Sequence, residues 1–200
     1  MAYSTSEELQ RLGIGKRISS LRMEKKMALE ALAQQINVTP ALLSQIESDV
    51  VPPTLATLLN LARVLDVQVD HFFVRTEIVD TIELTRSNER LSVAKSRESD
   101  QARMTYNYQA LSYRLKDKKL EPFLVEFDST IEENMVPLSH EGEEFCYCLE
   151  GDIEFITDER RILLKPGDSL HFYSHVPHVL RGFGPGTPKA IFVLLPAAKK

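Results

Sequence analysis

The chain has 200 residues and a hydrophobic fraction of 43%, enough for the core of one large or two small globular domains. It has no run of about eighteen apolar residues, and its polar, acidic N-terminus lacks the pattern of a signal peptide, so we expect a cytoplasmic protein with no membrane partner. The formal net charge of -5 excludes a general attraction to nucleic acid, so DNA contact would need a local patch or a dimer.

The first third of the chain predicts five helices. From about residue 8 to residue 73 the apolar residues recur at helical spacing, and glycine and proline occur mainly at breaks. Thr39-Pro40 is a strong start signal because it combines a hydroxyl N-cap with proline at the first helical position. The predicted helices cover residues 9–25, 29–36, 40–47 and 55–65, followed by a short one at 69–73. We assign residues 8–74 to this helical domain.

Two of these helices are joined by the turn Asn37-Val38-Thr39-Pro40, which is the layout of a helix-turn-helix. With Leu32-Ala33, Leu43-Ser44-Gln45-Ile46-Glu47 and Pro53-Thr54-Leu55-Ala56-Thr57-Leu58, the pattern over about residues 11–73 resembles the Xre family of lambda-repressor-like regulators. The resemblance implies that the helix after the turn enters the major groove of double-stranded DNA and presents its N-terminal residues to base edges. The base-reading candidates are then Thr39, Pro40, Ala41, Leu42, Ser44 and Gln45.

Positive charge in this domain is sparse, since the first 75 residues hold eight Lys and Arg against eight Asp and Glu. Gln45 is the candidate best suited to hydrogen-bond a base edge, that of adenine. The candidates for phosphate contacts are Arg17 and Arg22, together with Lys16, Lys25 and Lys26. The same cations can instead form an ordinary solvated helix face, and the domain can be a helical module that no longer binds DNA.

The pattern changes after Val74 from helical periodicity to short alternating runs. Residues 75–103 are polar and predict a linker that leads into the first strands. Over residues 104–197, alternating segments such as 123–127 and 153–156 are separated by turn signals such as Lys165-Pro166-Gly167-Asp168. Many short strands with regular turns predict a sandwich or barrel as the second domain.

His140, Glu144 and His178 provide two imidazoles and one carboxylate, a ligand set for a divalent transition metal with open coordination positions. These donors suit Fe(II), Zn(II), Mn(II), Ni(II) or Co(II) and disfavour Ca²⁺ and Mg²⁺. On a strand, Glu144 would share one face with the two cysteines, Cys146 and Cys148. We predict that both are buried free thiols, because a disulfide between near neighbours on one strand would be strained. A redox or soft-metal role is the alternative.

The stretch from His140 through Glu144 to Gly151, with Pro166-Gly167-Asp168 and Val176-Pro177-His178, resembles the two motifs of the cupin superfamily. The resemblance covers about residues 104–196 and implies a double-stranded β-helix, or jelly-roll barrel, with the metal site at its mouth. Leu138 stands where the family usually carries a further histidine, so the site has at most three protein ligands. The alternative is a decayed site whose histidines are ordinary polar residues.

Other residues near these motifs have weaker assignments. Tyr106 and Tyr108 share one face of an early strand. The cupin resemblance implies that they lie near the pocket wall, where they bind an anionic ligand or simply pack in the core. Of the remaining residues, His171 and His175 match no ligand position of the family, and Glu141 and Glu143 are expected to face solvent.

The combination of the two domains leads to two main functional expectations. It resembles Xre-type transcriptional regulators whose C-terminal cupin binds a small-molecule effector and which assemble as homodimers or higher homo-oligomers. With a His-Glu-His triad, it also resembles the iron-dependent hydroxypropylphosphonate epoxidases, which implies the alternative of a mononuclear non-heme iron oxygenase. That enzyme would need cations for the phosphonate, and Arg103, Arg114 and Arg181 are candidates. We predict the regulator; a cupin isomerase with a relic helical domain is a third possibility.

Overall fold

The computed structural model describes residues 13–73, 81–93, 106–128 and 137–197. The chain divides into two compact units, of which the first comprises Met1–Ile82, Val93–Met104 and Tyr113–Asp117, and the second Glu83–Ser92, Thr105–Ser112 and Lys118–Lys200. The domain boundaries 8–74, 75–103 and 104–197 stay predictions. Within the described ranges, no helix has the length and apolar character needed to cross a membrane.

Four α-helices lie in the described part of the first unit. They are α1 (Ile14–Glu24), α2 (Leu29–Gln35), α3 (Pro40–Glu47) and α4 (Leu55–Val64). The last two begin at hydroxyl N-caps, because the side-chain oxygens of Thr39 and Thr54 accept hydrogen bonds from backbone amides of the first turn. Asn37 has a φ of 57° in the turn between α2 and α3, as its tolerance of the left-handed conformation led us to expect.

The prediction of five helices was wrong for the described residues, in which four α-helices occur. The fifth helix was predicted at residues 69–73, where the structure has a 3-10 turn, Val69–Phe72. It is too short for a ladder of α-helical hydrogen bonds, and the His71 amide donates instead to the Gln68 carbonyl three residues back. The predicted start of the first helix, at Leu9, lies outside the described residues.

Gly15 allows α1 and α3 to approach each other closely. A Cβ atom at this position would lie 2.0 Å from the Ile46 carbonyl oxygen. Asp49, which follows α3, accepts a 2.7 Å hydrogen bond from the Gly15 amide, one of the first-turn amides that have no partner within their own helix. Arg22 adds a second link, since its Nε and Nη2 atoms lie 2.6 and 2.8 Å from the Glu47 carboxylate oxygens.

Nine β-strands form two sheets in the described residues. They are β1 (Leu91–Val93), β2 (Tyr106–Ala110), β3 (Glu121–Phe127), β4 (Glu143–Glu150), β5 (Asp152–Ile156), β6 (Arg161–Leu164), β7 (Ser169–Tyr173), β8 (Val179–Phe183) and β9 (Lys189–Leu195). The larger sheet has the order β1-β2-β3-β9-β4-β7 and the smaller one β6-β5-β8. We call β2–β9, together with those connecting residues that belong to the second unit, the β domain. Its short antiparallel strands confirm the predicted β-rich C-terminal part.

The larger sheet buries one face and exposes the other. On β4 the buried residues Glu144, Cys146 and Cys148 alternate with exposed ones, as the period of two in a strand requires. The cross-strand register pairs Glu144 with Leu194 of β9, and Leu194 with Glu121 of β3. Because all three are buried, they form one row across the inner face of the sheet. This row positions the candidate site described next.

Candidate metal centre

His140, Glu144 and His178 come together from three parts of the β domain. Glu144 belongs to β4, His140 precedes that strand, and His178 precedes β8. Backbone hydrogen bonds hold both histidine loops, since His178 pairs with Leu138 in an isolated bridge and the His140 amide donates to the Ser174 carbonyl at 3.1 Å. The side chains of the three predicted ligands are only 4 to 6% exposed.

The donor atoms of these three side chains converge. Nε2 of His140 lies 2.8 Å from Oε1 of Glu144, and Nε2 of His178 lies 3.5 Å from the same oxygen. One donor atom from each residue lies within 4.8 Å of the others, and within the described ranges this is the group of His, Cys, Asp and Glu side chains that could hold a metal ion. The structure therefore brings together the three residues that the sequence motifs selected.

The outer nitrogen of each imidazole is held by a backbone carbonyl. Nδ1 of His140 lies 3.2 Å from the Glu141 carbonyl oxygen, and Nδ1 of His178 lies 2.7 Å from that of Val176. A carbonyl oxygen only accepts, so Nδ1 of each ring donates its proton to it, and the other nitrogen, Nε2, faces the centre. This is how metal-binding histidines are commonly oriented in proteins.

The Glu144 carboxylate and the two Nε2 atoms face one another as hydrogen-bond acceptors. Oε1 of Glu144 is buried and lies 2.8 Å from Nε2 of His140 and 3.5 Å from Nε2 of His178; with the ring proton on Nδ1, neither Nε2 atom can donate to it. Two nitrogen lone pairs and one carboxylate oxygen that face each other in a buried site repel one another unless a cation lies between them. The residues present therefore fit a divalent transition metal, and three protein ligands leave coordination positions open.

His178 lies between aromatic rings that exclude water from one side of the centre. Its ring stacks on Phe155 at 5.9 Å and meets Phe172 edge-on at 4.8 Å between ring centroids. Burial lowers the pKa of His178, although the Glu144 carboxylate acts in the opposite direction. The imidazole is thus neutral near pH 7, which is the state that binds a metal.

The other histidines and acids near the motifs lie outside the centre. His171 is exposed, and its Nε2 lies 3.0 Å from Oε2 of Glu143 on the outer side of the sheet. His175 is exposed and stacks on Tyr173 at 5.9 Å, and Glu141 is exposed. Leu138 contributes backbone hydrogen bonds only, so the ligand set contains three side chains.

Tyr106 and Tyr108 are placed by the register of β2. Tyr108 is fully buried, its ring meets Phe123 edge-on at 5.7 Å, and burial raises its pKa well above the ordinary value. The register of β2, β3, β9 and β4 places Tyr108 in the same cross-strand row as Cys148. On β4, Cys148 is four residues away from Glu144. Core packing accounts for Tyr108, and a role of the two tyrosines in ligand binding stays a prediction.

The arginines proposed for a phosphonate have other partners. Arg181 lies 2.7 Å from Glu154 through its Nε atom, and the two side chains pair across β5 and β8. The Arg114 guanidinium lies 5.4 Å from the centre of the Tyr113 ring. Arg103 lies outside the described residues. We therefore find no support in these contacts for an arginine clamp at the metal centre.

The two cysteines are free and buried, as predicted. Burial, with smaller effects of Cys148 and Glu144, raises the pKa of the Cys146 thiol to about 12. Burial also raises the pKa of Cys148, whose Sγ donates to the Gly151 carbonyl at 3.2 Å. Both thiols are therefore protonated near neutral pH.

We expect iodoacetamide to leave both cysteines unmodified in the folded protein at pH 8. Only thiolate reacts, and the Cys146 thiol, with a pKa of about 12, holds roughly a thousandth of the thiolate of a free cysteine. Burial raises the pKa of Cys148 as well, which lowers its thiolate fraction in the same direction. Mass spectrometry would follow the reaction, with protein unfolded in urea as the rapidly modified control. Fast modification of the folded chain would show that the buried face of β4 is open to solvent.

The base-reading candidates are not equally accessible. Thr39, Pro40, Ala41 and Ser44 are exposed, and Leu42 is half-buried. Gln45 is also half-buried, and its Oε1 atom is buried with no hydrogen-bond donor among the described residues. Its amide must therefore rotate outward to bind a base, whereas the Ser44 hydroxyl is already on the surface.

The two arginines proposed for phosphate contacts take part in internal contacts. Arg22 is bonded to Glu47 and to the Met27 carbonyl, which accounts for its presence without DNA. Arg17 donates to the Phe72 carbonyl at 3.3 Å. Lys16, Lys25 and Lys26 are exposed and remain the better candidates for phosphates.

Three buried polar residues of the β domain, namely Lys118, Glu121 and Ser174, were not among the predicted residues. Glu121 and Lys118 form an ion pair whose side chains are 2 and 4% exposed. Glu121 is in phase with Phe123 and Val125, so a charged residue at an inward position of the predicted strand was the available signal. The position of Lys118 in a loop carried no such signal.

Comparison with known families supports both halves of the chain. Residues 18–72 match the family model described as helix-turn-helix, and residues 130–194 match the one described as cupin domain. These matches confirm the two family resemblances drawn from the motifs. The chain therefore carries a helix-turn-helix segment followed by a cupin domain.

Curated relatives match only the helical part. Two proteins named HTH-type transcriptional regulator RamB, from Mycobacterium tuberculosis strains CDC 1551 / Oshkosh and ATCC 25618 / H37Rv, are 41% identical over 59 residues. The match covers 30% of this chain and 12% of each relative. The chain thus spans about an eighth of the length of the curated relatives that it matches.

Two kinds of solved structure are similar to the whole chain. An HTH_3 family transcriptional regulator from Vibrio cholerae has a TM-score of 0.66 at 22% identity, covering 96% of this chain and 99% of that one, which shows a shared fold. The hydroxypropylphosphonic acid epoxidase from S. wedmorenis has a TM-score of 0.49 at 24% identity, covering 92% of this chain and 97% of that one. The second similarity is too low to bear on function.

Proposed function

We propose that this chain, in which a helix-turn-helix segment precedes a cupin domain, is a DNA-binding transcriptional regulator controlled by its β domain. In this proposal the β domain binds a divalent transition metal and a small-molecule effector. The proposal rests on one observation. Ligand atoms of His140, Glu144 and His178 converge in a buried site, in the same chain as a helix α3 whose N-terminal residues are exposed. A regulator of this kind acts where the DNA is, in the cytoplasm.

The DNA-binding part of the proposal rests on α3. Its first turn is exposed and is held in shape by the Thr39 N-cap, while its other side is fixed to α1 through Gly15 and Arg22. A helix supported in this way presents its N-terminal residues to a major groove. The neutral charge balance of the first 75 residues predicts weak binding by one copy.

A homodimer would overcome the weakness of a single copy. Two helix-turn-helix units bind two half-sites about 34–36 Å apart, one turn of the DNA helix, and a dimer doubles the phosphate contacts. An effector changes DNA affinity only if it binds one spacing of the two units better than the other. We therefore propose that occupation of the β domain biases this spacing in a dimer or a higher homo-oligomer.

In the β domain, the protein side chains prepare the site for an anionic effector. A bound divalent metal would supply positive charge and open coordination positions. The hydrogen bonds from Nδ1 of His140 and His178 to backbone carbonyls orient both Nε2 atoms toward the centre. Phe155 and Phe172 keep water from one side of His178, so an effector would meet a partly dehydrated surface.

The test of DNA binding uses a side chain on α3. We expect Gln45→Ala to weaken specific binding by about 1–3 kcal/mol if the amide rotates outward to read a base, without a change in metal content. Fluorescence anisotropy with the DNA upstream of the chain's own gene, at several salt concentrations, would measure this loss. Gln35→Ala, an exposed amide on α2, is the matched control.

Two results would contradict the DNA-binding proposal. One is equal affinity of the unmodified protein for its upstream DNA and for random DNA at low salt. The other is equal loss in the Gln45 and Gln35 variants. Ser44→Ala, measured in parallel, separates a base contact of Gln45 from one made by the exposed hydroxyl beside it.

A mononuclear non-heme iron oxygenase is the second candidate function. It is favoured by one observation, namely that two imidazoles and one carboxylate leave coordination positions for a substrate and for O₂. An oxygen electrode with Fe(II)-loaded protein and a hydroxyalkylphosphonate would test it. Oxygen consumption that depends on the phosphonate, combined with the absence of specific DNA binding, would replace the regulator by the enzyme.

A further inference from the structure

A buried ion pair lies in the β domain apart from the metal ligands. Lys118 and Glu121 have side chains that are 4 and 2% exposed, and their charged ends are in direct contact. Removing two charges from water costs several kcal/mol per ion, and the attraction between them recovers this cost only when additional hydrogen bonds are made. A buried pair of this kind therefore indicates a further reason for the charge to be inside.

The ammonium group of Lys118 uses only part of its bonding capacity. It carries three N–H donors, and within the described ranges its one partner is the Glu121 carboxylate. Within those ranges, the contact with Glu121 accounts for at most part of these three donors. An acceptor brought by a ligand, and above all an anionic one, would satisfy them.

The sheet register brings this pair near the metal centre. Glu121 lies beside Leu194, and Leu194 lies beside Glu144, so the two carboxylates stand in one row with a leucine between them. Two strand spacings separate the backbones of Glu121 and Glu144, which corresponds to about 10 Å. The buried side chain of Leu194 forms an apolar floor between the two polar ends.

A second unsatisfied polar group lies on the same face. The Ser174 hydroxyl is fully buried, and Oγ has no hydrogen-bond partner among the described residues. Ser174 follows Phe172 at strand spacing, and Phe172 is the β7 neighbour of Glu144. Its backbone carbonyl accepts from the His140 amide, so the backbone of Ser174 lies beside that of a metal ligand. A buried hydroxyl near the metal ligands and a buried ammonium group beside Glu121 are thus both available to a ligand.

We propose that the β domain binds a short acid with two anionic ends. One end, a hydroxy- or keto-carboxylate, takes the open metal positions near the Ser174 hydroxyl. The other end accepts hydrogen bonds from Lys118, and the carbon chain between them packs on Leu194. This inference rests on the proposed function and names the chemical class of its effector.

Glu121 determines the net charge around Lys118, at the end of the site that lies away from the metal. Without a ligand it neutralises Lys118, and with a ligand it competes with the incoming anion for the same ammonium group. Replacing Glu121 by glutamine therefore raises the affinity for the dianion, whereas loss of Lys118 lowers it. If the ion pair only stabilised the fold, replacing Glu121 and replacing Lys118 would not change the ligand affinity in opposite directions.

Isothermal titration calorimetry of the full chain loaded with Mn(II) tests the proposal. The probes are 2-hydroxyglutarate and 2-hydroxyvalerate, which share the chelating end and the chain length but differ in the distal carboxylate. We expect the dianion to bind at least about 10-fold more tightly, as hydrogen bonds between charged groups imply. Malate and 2-hydroxyadipate then report the preferred chain length.

Three variants separate ligand binding from folding. Lys118→Met combined with Glu121→Leu replaces the pair by apolar side chains, a change that buried pairs often tolerate, and we expect it to abolish the preference for the dianion while 2-hydroxyvalerate still binds. Glu121→Gln should strengthen the preference several-fold. Glu126→Gln, the same change on a neighbouring position of β3 that is not buried, is the matched control and should have no effect.

The results separate this inference from the proposed function. Equal affinities for the two probes in the unmodified protein, or an unchanged preference in the double variant, would overturn the dianion proposal while metal content and DNA binding stand. The same holds if neither probe binds to the metal-loaded chain. Failure of the chain to retain Mn(II) at all would instead overturn the metal site of the proposed function.

Discussion

Replacing His140 by alanine lowers the affinity of the β domain for divalent transition metals by about 100-fold or more. Changes to residues that merely orient a metal ligand already cost about 10- to 100-fold, and His140 supplies a donor atom itself. The loss is large because, in the described part of the chain, three side chains meet at the centre and each supplies one ligand atom. The remaining pair, Glu144 and His178, cannot replace the missing nitrogen from Leu138.

The measurement is elemental analysis after dialysis, followed by competition with a chelator of known affinity. His171→Ala is the matched control, since this exposed imidazole contacts Glu143 on the outer side of the sheet and should leave metal content unchanged. DNA binding without effector should also be unchanged. Retention of stoichiometric metal by the His140 variant would show that the ligand assignment is wrong.

The second large effect is expected at Gly15, in the helical unit. A Cβ atom there would lie 2.0 Å from the Ile46 carbonyl oxygen and 2.8 Å from Oδ1 of Asp49. Backbone atoms of α3 cannot move aside as a flexible side chain can, so α1 and α3 must separate. We expect Gly15→Ala to destabilise the helical unit by about 2–4 kcal/mol, although alanine is intrinsically better than glycine within a helix by about 1 kcal/mol.

Urea unfolding followed by circular dichroism at the helical minimum would measure this change. Specific DNA binding should fall together with stability, because α3 carries the base-reading candidates, while metal content stays unchanged. Ser20→Ala, at an exposed position of the same helix, tests the effect of helix propensity without a clash. An unfolding midpoint for the Gly15 variant equal to or above that of the unmodified protein would contradict the close contact of α1 and α3.

The helical half of the chain was predictable because its signals are local. The N-caps Thr39 and Thr54, the turn residue Asn37 and the spacing of the leucines depend on neighbours within a few residues, and the structure has helices at these positions. The terminal 3-10 turn was predicted as a helix because four residues contain too little periodicity to distinguish the two. The pairing of Arg22 with Glu47 links two helices, which no spacing within one of them reveals.

Burial of individual side chains was less predictable than the elements that carry them. Gln45 was predicted to read a base, yet its amide oxygen is buried. Tyr106 and Tyr108 were correctly placed on one strand, but which row of the β domain they join depends on the register with β3. A register is a property of two strands and is set by the packing of both.

The amino-acid sequence by itself determined which side chains can bind a metal, where the helices and strands run, and that His140, Glu144 and His178 belong to one motif set. These properties follow from residue chemistry and from periodicities of short range. Only the tertiary structure decided that Nδ1 of His140 and of His178 are bonded to backbone carbonyls. It also decided that the Glu144 carboxylate faces the two Nε2 atoms and that Glu121 lies in the same cross-strand row as Glu144. The physical reason is that orientation, burial and cross-strand neighbours arise from contacts between residues far apart in the chain, which local patterns do not specify.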